Sequence, residues 1–177
     1  MGTSSLVVLD SNCLSYLLDG LYTVAGPTGS LADQQLALVR IMLYDEWGFY
    51  VTPKVVKECG RIRDNVRAAL HESWLSTLIS ETQPIEPSTI LARATHLQQW
   101  HGDPDDCRIV AECEDASIPV LLTYDNDFIA HLRGQTTVSL MRPTEYWKSL
   151  NIAKGTKPRT QPHDTNPLST LKWWRWN

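Results

Sequence analysis

Two short, unbroken apolar runs limit what this chain can fold into: Leu6-Val7-Val8-Leu9 and Val120-Leu121-Leu122. Neither alternates apolar with polar residues, so neither suits a strand with one wet face. Continuous runs of this length mark strands buried on both sides, as in a parallel sheet. Phe49-Tyr50-Val51-Thr52 and Val138-Ser139-Leu140-Met141 read as two further strands. Helical spacing of apolar residues predicts helices over about 13–18, 31–47, 66–78, 88–100, 105–116, 125–132 and 143–150. Another opens at Thr52-Pro53, where proline at a first-turn position loses no hydrogen bond. Ser11 or Asn12 can cap the first helix, residues 19–30 with three Gly and one Pro read as a loop, and Gly48 ends the second helix. Strands alternating with helices imply a three-layer α/β/α fold around a four- or five-stranded parallel sheet. Such sheets bind ligands beyond the carboxyl ends of their strands.

The 177 residues suit one domain over 1–150 with a basic, Pro- and Trp-containing tail over 151–177. That tail closes on Trp173-Trp174-Arg175-Trp176, and docking on the chain's own body is expected, because three exposed tryptophans would make a sticky patch. A hydrophobic content of 42% excludes a disordered chain. No apolar run approaches the roughly 20 residues of a membrane span. The start carries no basic stretch and too short an apolar one for a signal peptide, and Leu6 stands where a myristoylation motif after Gly2 wants Ser or Thr. A cytoplasmic protein is the expectation. Cys13, Cys59, Cys107 and Cys113 show no paired spacing and read as reduced core thiols.

The net charge of −4 hides an asymmetry. From Arg142 onward seven basic residues face only Glu145 and Asp164, giving +5 there and −9 for the rest. An acidic body does not favour generic polyanion binding. It does suit a protein that gathers carboxylates around a cation.

Asp10 follows the first apolar run directly, and Asp125 follows Val120–Leu122 after Thr123-Tyr124. Both therefore belong at the carboxyl edge of the sheet. Glu58 and Asp106 fall in or near the first turns of helices. Four converging acids without matching Lys or Arg would repel one another by several kcal/mol in a poorly solvated cleft. A divalent cation removes that difficulty, and oxygen-only ligation points to Mg²⁺ or Mn²⁺. Phosphodiester hydrolysis is the chemistry such a site serves. Each acid also has a plainer reading as a helix cap or solvated residue, and Glu112, Glu114 and Asp115 are expected on a solvated face. Lys54, Lys57 and Arg61 beside Glu58 read as helix-surface charge or as a track for an RNA backbone.

Four segments taken together resemble the successive motifs of PIN-domain nucleases: Leu6-Val7-Val8-Leu9-Asp10-Ser11-Asn12, Thr52-Pro53-Lys54-Val55-Val56-Lys57-Glu58, Asp105-Asp106-Cys107-Arg108-Ile109-Val110-Ala111-Glu112 and Leu122-Thr123-Tyr124-Asp125-Asn126-Asp127-Phe128. They occur in that family's order, over residues 6–150. The resemblance implies an endoribonuclease dependent on Mg²⁺ or Mn²⁺, frequently a homodimer, and extends to the toxin ribonucleases of VapBC-type systems, which a partner antitoxin holds inactive. It implies Asp10, Glu58, Asp106 and Asp125 as catalytic metal-binding acids. Asn12 matches a polar position beside the first acid, Thr123 one that orients a carboxylate or water, and Asp127 an accompanying acid acting through water. Asp105 precedes Asp106, so either could be the ligand; the spacing to Ile109 and Ala111 favours Asp106.

Two rivals stand beside the nuclease. One is a PIN-like module that binds RNA or protein without efficient catalysis. The other is a phosphatase with an aspartyl nucleophile, which Asn12 weakens, since such enzymes usually carry a second Asp two residues after the first. The His residues show no pairing with Ser or Cys that would suggest a hydrolytic triad.

Overall fold

The computed structural model describes residues 6–22, 24–46, 48–77, 79–83 and 85–177. Gly2, Trp47 and Leu78, each used above to place a boundary or a motif, lie outside them, as does Pro84. Five parallel strands form one sheet: β1 (Val7–Leu9), β2 (Phe49–Val51), β3 (Ser80–Glu81), β4 (Val120–Leu122) and β5 (Ser139–Met141), in the order β3-β2-β1-β4-β5. Every residue of β1 and β4 is buried, as continuous apolar runs require. β1 is paired with β2 on one side, Val7 facing Phe49, and with β4 on the other, Val7 facing Val120.

Helices α1 (Ser11–Tyr22), α2 (Ala32–Tyr44), α3 (Pro53–Cys59) and α4 (Asn65–Thr77) link the first three strands. α5 (Pro87–Leu97) and α6 (Pro104–Asp115) lead from β3 back to β4, α7 (Asn126–Leu132) joins β4 to β5, and α8 (Pro143–Ser149) follows β5. The strand order grows away from β1 in one direction and then, from β4, in the other. With right-handed crossovers that reversal sends the two helix sets to opposite faces. α1, α2 and α8 pack together, as do α5 and α6, while α3 touches both α1 and α6. The result is an α/β protein with a five-stranded parallel sheet flanked by helices. No helix among the described residues is long and apolar enough to cross a membrane.

Three elements depart from the sequence reading. α1 continues to Tyr22 through the stretch expected to be loop, because Gly20 lies in the contact with α2: a Cβ there would come within 2.8 Å of a Val39 methyl. Its glycine serves close packing inside a helix rather than a turn. α2 ends at Tyr44, earlier than expected, where Asp45 turns extended. β3 was not anticipated, since two exposed polar residues give no strand signal and only backbone pairing with Tyr50 and Val51 makes them one.

The tail packs on the body, with a 3-10 turn at Pro167–Ser169. Trp174 is 1% exposed, its indole donates to the Leu168 carbonyl at 2.9 Å, and its ring meets Tyr44 edge-on. Trp176 donates to Ile152 and lies edge-on to Trp147, with the Arg40 guanidinium 4.7 Å from its ring centroid.

Candidate active site

The strand order reverses between β1 and β4, the crevice where open α/β sheets place their ligands. Asp10 and Thr123 are the residues that leave these two strands. The Asp10 N–H extends the ladder to the Leu122 carbonyl, and the Thr123 N–H does the same to Met141, so both are fixed by the sheet. Asp10 also caps α1, its Oδ1 accepting from the Cys13 N–H at 2.6 Å. Asp125 caps α7 in the same way, accepting from the Asp127 and Phe128 N–H groups. The helix-cap reading of both acids holds, and it leaves each at the carboxyl edge of the sheet. Thr123 joins them: its hydroxyl hydrogen-bonds to the Asp10 carboxylate and accepts from the Asp125 N–H at 3.1 Å.

Asp106 reaches the same crevice from the first turn of α6. Asp103 caps that helix with Pro104 at its first position, which sets the register that turns Asp106 inward. Its Oδ2 is 2.8 Å from His101 Nε2. His101 in turn stacks on Phe128 and lies 3.2 Å from His131, Nδ1 to Nδ1. Burial pushes the Asp10 carboxyl up to about 6, against the hydrogen bonds from Thr123 and Cys13, with Asp106 adding repulsion. Burial likewise raises Asp106, opposed by His101 and reinforced by Asp103 and Asp125. Asp106 thus feels like charge from Asp125 and adds it to Asp10, and none of the three acids pairs with Lys or Arg among the described residues.

Glu58 and Asp105 stand apart from that group. The Glu58 carboxylate accepts from the Ser11 hydroxyl and lies 3.5 Å from Lys54 Nζ. Lys54 also reaches Asp105 at 2.5 Å, and Arg61 approaches the other Asp105 oxygen at 3.9 Å. Of the two neighbouring acids, Asp105 takes the cations and Asp106 takes His101. Lys54, expected at the helix surface, is instead only 10% exposed, and its backbone N–H donates to Glu112. Glu112 is a second correction. Expected on a solvated face, it is 4% exposed and held between the start of α3 and Arg108. Lys57 and Arg61 remain exposed beside the site, as do Asn12 in the first turn of α1 and Asp127 in the first turn of α7. Sequence reasoning missed His101, Ser11 and Glu112 as partners of the cluster. Only the His101-Gly102-Asp103-Pro104 turn just ahead of Asp106 hinted at the first of them.

The donor chemistry of Asp10, Asp106 and Asp125 is oxygen-only, the kind a hard divalent cation takes, and burial weakens Asp10 and Asp106 as acids. The ligand set is not preassembled: among the described residues no three His, Cys, Asp or Glu side chains stand close enough to hold a metal ion as placed.

No protein-family model matches the chain, and no curated protein does either. Among solved structures the chain is similar to VapBC2 from Rickettsia felis bound to a DNA fragment from its promoter. Identity is 11%, the match covers 77% of this chain and 97% of that one, and the TM-score is 0.48.

Proposed function

We propose that the chain is a metal-dependent endoribonuclease of the PIN kind, hydrolysing RNA phosphodiester bonds at a Mg²⁺ or Mn²⁺ site formed by Asp10, Asp106 and Asp125, with Glu58 at its border. One observation supports the reading: Asp10, Asp106 and Asp125 are set around the switch point of a parallel sheet, and burial weakens the first two as acids. When bound, the cation supplies an activated water and polarises the phosphoryl oxygen. The chain's own residues orient the acids. Thr123 holds Asp10 through its hydroxyl and the Asp125 backbone through its oxygen, while His101 fixes one oxygen of Asp106 and leaves the other for the crevice. Lys57 and Arg61, exposed beside Glu58, suit the phosphates of a bound strand.

The test is Mn²⁺-dependent cleavage of RNA by the purified chain. Asp10→Asn and Asp106→Asn should each lower the rate about a hundredfold or more; wild-type rate in either variant would sink the mechanism. The motif resemblance also supports a toxin role with an antitoxin partner. Expression of the chain alone should then arrest growth and Asp106→Asn should relieve the arrest, whereas unimpaired growth with soluble wild-type protein counts against that role. The open placement of the acids favours a second reading, a binding module without catalysis. Absence of Mn²⁺ binding at neutral pH in calorimetry would favour the module.

A further inference from the structure

Two arginines without acidic partners line one groove on the side of the crevice away from α3. The Thr123 N–H donates to the Met141 carbonyl at 3.0 Å, so Arg142 leaves β5 one strand over from Thr123, at the same carboxyl edge. Its Nη1 donates to the Asn126 side-chain oxygen at 2.9 Å, and Asn126 directly follows Asp125. The buried Nε of the same guanidinium has no hydrogen-bond partner. Asn126, Ile129, Ala130 and Arg133 recur at helical spacing, so α7 turns one face toward Arg142 and Glu145, and these six line a cavity of about 190 Å³. Arg133, at the end of α7, is exposed. Neither arginine forms an ion pair among the described residues. Glu145 is occupied elsewhere, its Oε2 accepting from the Arg142 backbone N–H at 3.0 Å.

We propose that this groove is a phosphate-binding subsite for the substrate strand, with Arg142 at its crevice end and Arg133 further along α7. The proposal rests on the nuclease reading above and gives the crevice a second basic flank. The sheet order sets β2 and β5 on opposite sides of the β1–β4 crevice, so Lys57 and Arg61 stand on one side and Arg142 and Arg133 on the other. Asn126 is what makes Arg142 usable. A carboxylate there would neutralise the guanidinium, whereas a neutral amide fixes its orientation and leaves its charge and other donors for an anion. The unpartnered Nε–H is the sort of donor that a phosphate oxygen satisfies. Arg133 stands seven positions after Asn126, roughly 10 Å along the helix axis. One phosphate does not span that separation, so the groove suits a strand with several phosphates rather than a mononucleotide. Glu145 on the same groove opposes an anion and keeps the subsite weak.

The experiment is fluorescence anisotropy of a labelled oligouridylate with the full chain, in chelator so that no cleavage intervenes, across a series of salt concentrations. Circular dichroism checks folding. Arg142→Gln and Arg133→Gln should each weaken binding about fivefold or more and flatten the slope of log affinity on log salt by roughly 0.7, the share of one phosphate contact on a single strand. Glu145→Gln should tighten binding about twofold. Arg159→Gln, which removes an exposed charge near the amino ends of the strands, should change neither affinity nor slope. Where RNA is cleaved, Arg142→Gln should raise KM about fivefold with kcat kept. Unchanged binding in the arginine variants would overturn the proposal and leave the nuclease reading standing, and the exposed Arg133 decides this even where Arg142→Gln does not fold. An equal loss in Arg159→Gln would overturn it as well, because net charge alone would then explain the effect. Polyglutamate displacing the strand as readily as unlabelled oligouridylate would overturn it in favour of an acidic peptide. No binding by wild type would also overturn it, and Mn²⁺-dependent cleavage then decides the nuclease reading separately.

Discussion

The two ends of the sheet are built on opposite principles. Around the carboxyl ends of β1 and β4 lie the buried Asp10, the half-buried Asp106 and the exposed Asp125, with like charge between neighbours. At the amino ends of β4 and β5, Val120 and Ser139 border a cavity of about 500 Å³ walled by Tyr44, Tyr146 and the tail residues Thr156, Lys157 and Arg159. Here aromatic packing dominates: Trp174 is sealed against Tyr44, Trp176 against Trp147, and Arg40 ties the terminal segment to α2. A site that gathers like charge lowers stability where it sits, and packing elsewhere has to offset it. The basic, tryptophan-bearing tail is where this chain concentrates such packing.

The largest expected stability effect is on the tail. Trp174→Ala removes a fully buried indole and its hydrogen bond to Leu168, and should lower unfolding free energy by about 3–5 kcal/mol in denaturant titration. Mn²⁺ affinity of the folded variant should be unchanged; a matching loss of affinity would show that the two regions are coupled. Next comes the cleft. The folded-state pKa of Asp10 is raised from 3.8 to about 6, so the native state holds its proton more tightly than the unfolded chain does. Stability should therefore fall as pH rises from about 4 to about 6, by roughly 3 kcal/mol at most from this group. In Asp10→Asn that part of the slope should vanish, and the variant should be more stable than wild type at pH 7 while inactive. An unchanged pH profile in Asp10→Asn would remove the claim that the cleft stores instability. The smallest effect is at Arg40, which donates to the carbonyls of Trp174 and Arg175 and covers the Trp176 ring. Arg40→Met should cost about 1–2 kcal/mol in thermal or denaturant unfolding, with RNA cleavage unaffected.

Much of this was present in local pattern. The buried strands β1 and β4 announce themselves as apolar runs, and Asp10 and Asp125 occupy the positions just beyond them that a parallel sheet turns toward a ligand. Helix starts at Thr52-Pro53, Asp103-Pro104 and Asp125 follow from capping and proline chemistry acting over three or four residues. The edge strand β3 carried no such signal, because Ser80 and Glu81 become a strand only through β2. The length of α1 was hidden too, since a glycine reads as a turn until the neighbouring helix that needs its small size is in place.

The amino-acid sequence by itself determined that acids would stand at the ends of buried parallel strands, because burial and capping are written in neighbouring residues. It could not show that Lys54 clamps Glu58 and Asp105 while His101 takes Asp106, or bury Glu112 and largely cover Lys54 on helix positions that look solvated. Which charge answers which depends on separations of a few ångströms between residues as far apart in the chain as Lys54 and Asp105, and only the tertiary structure sets those distances.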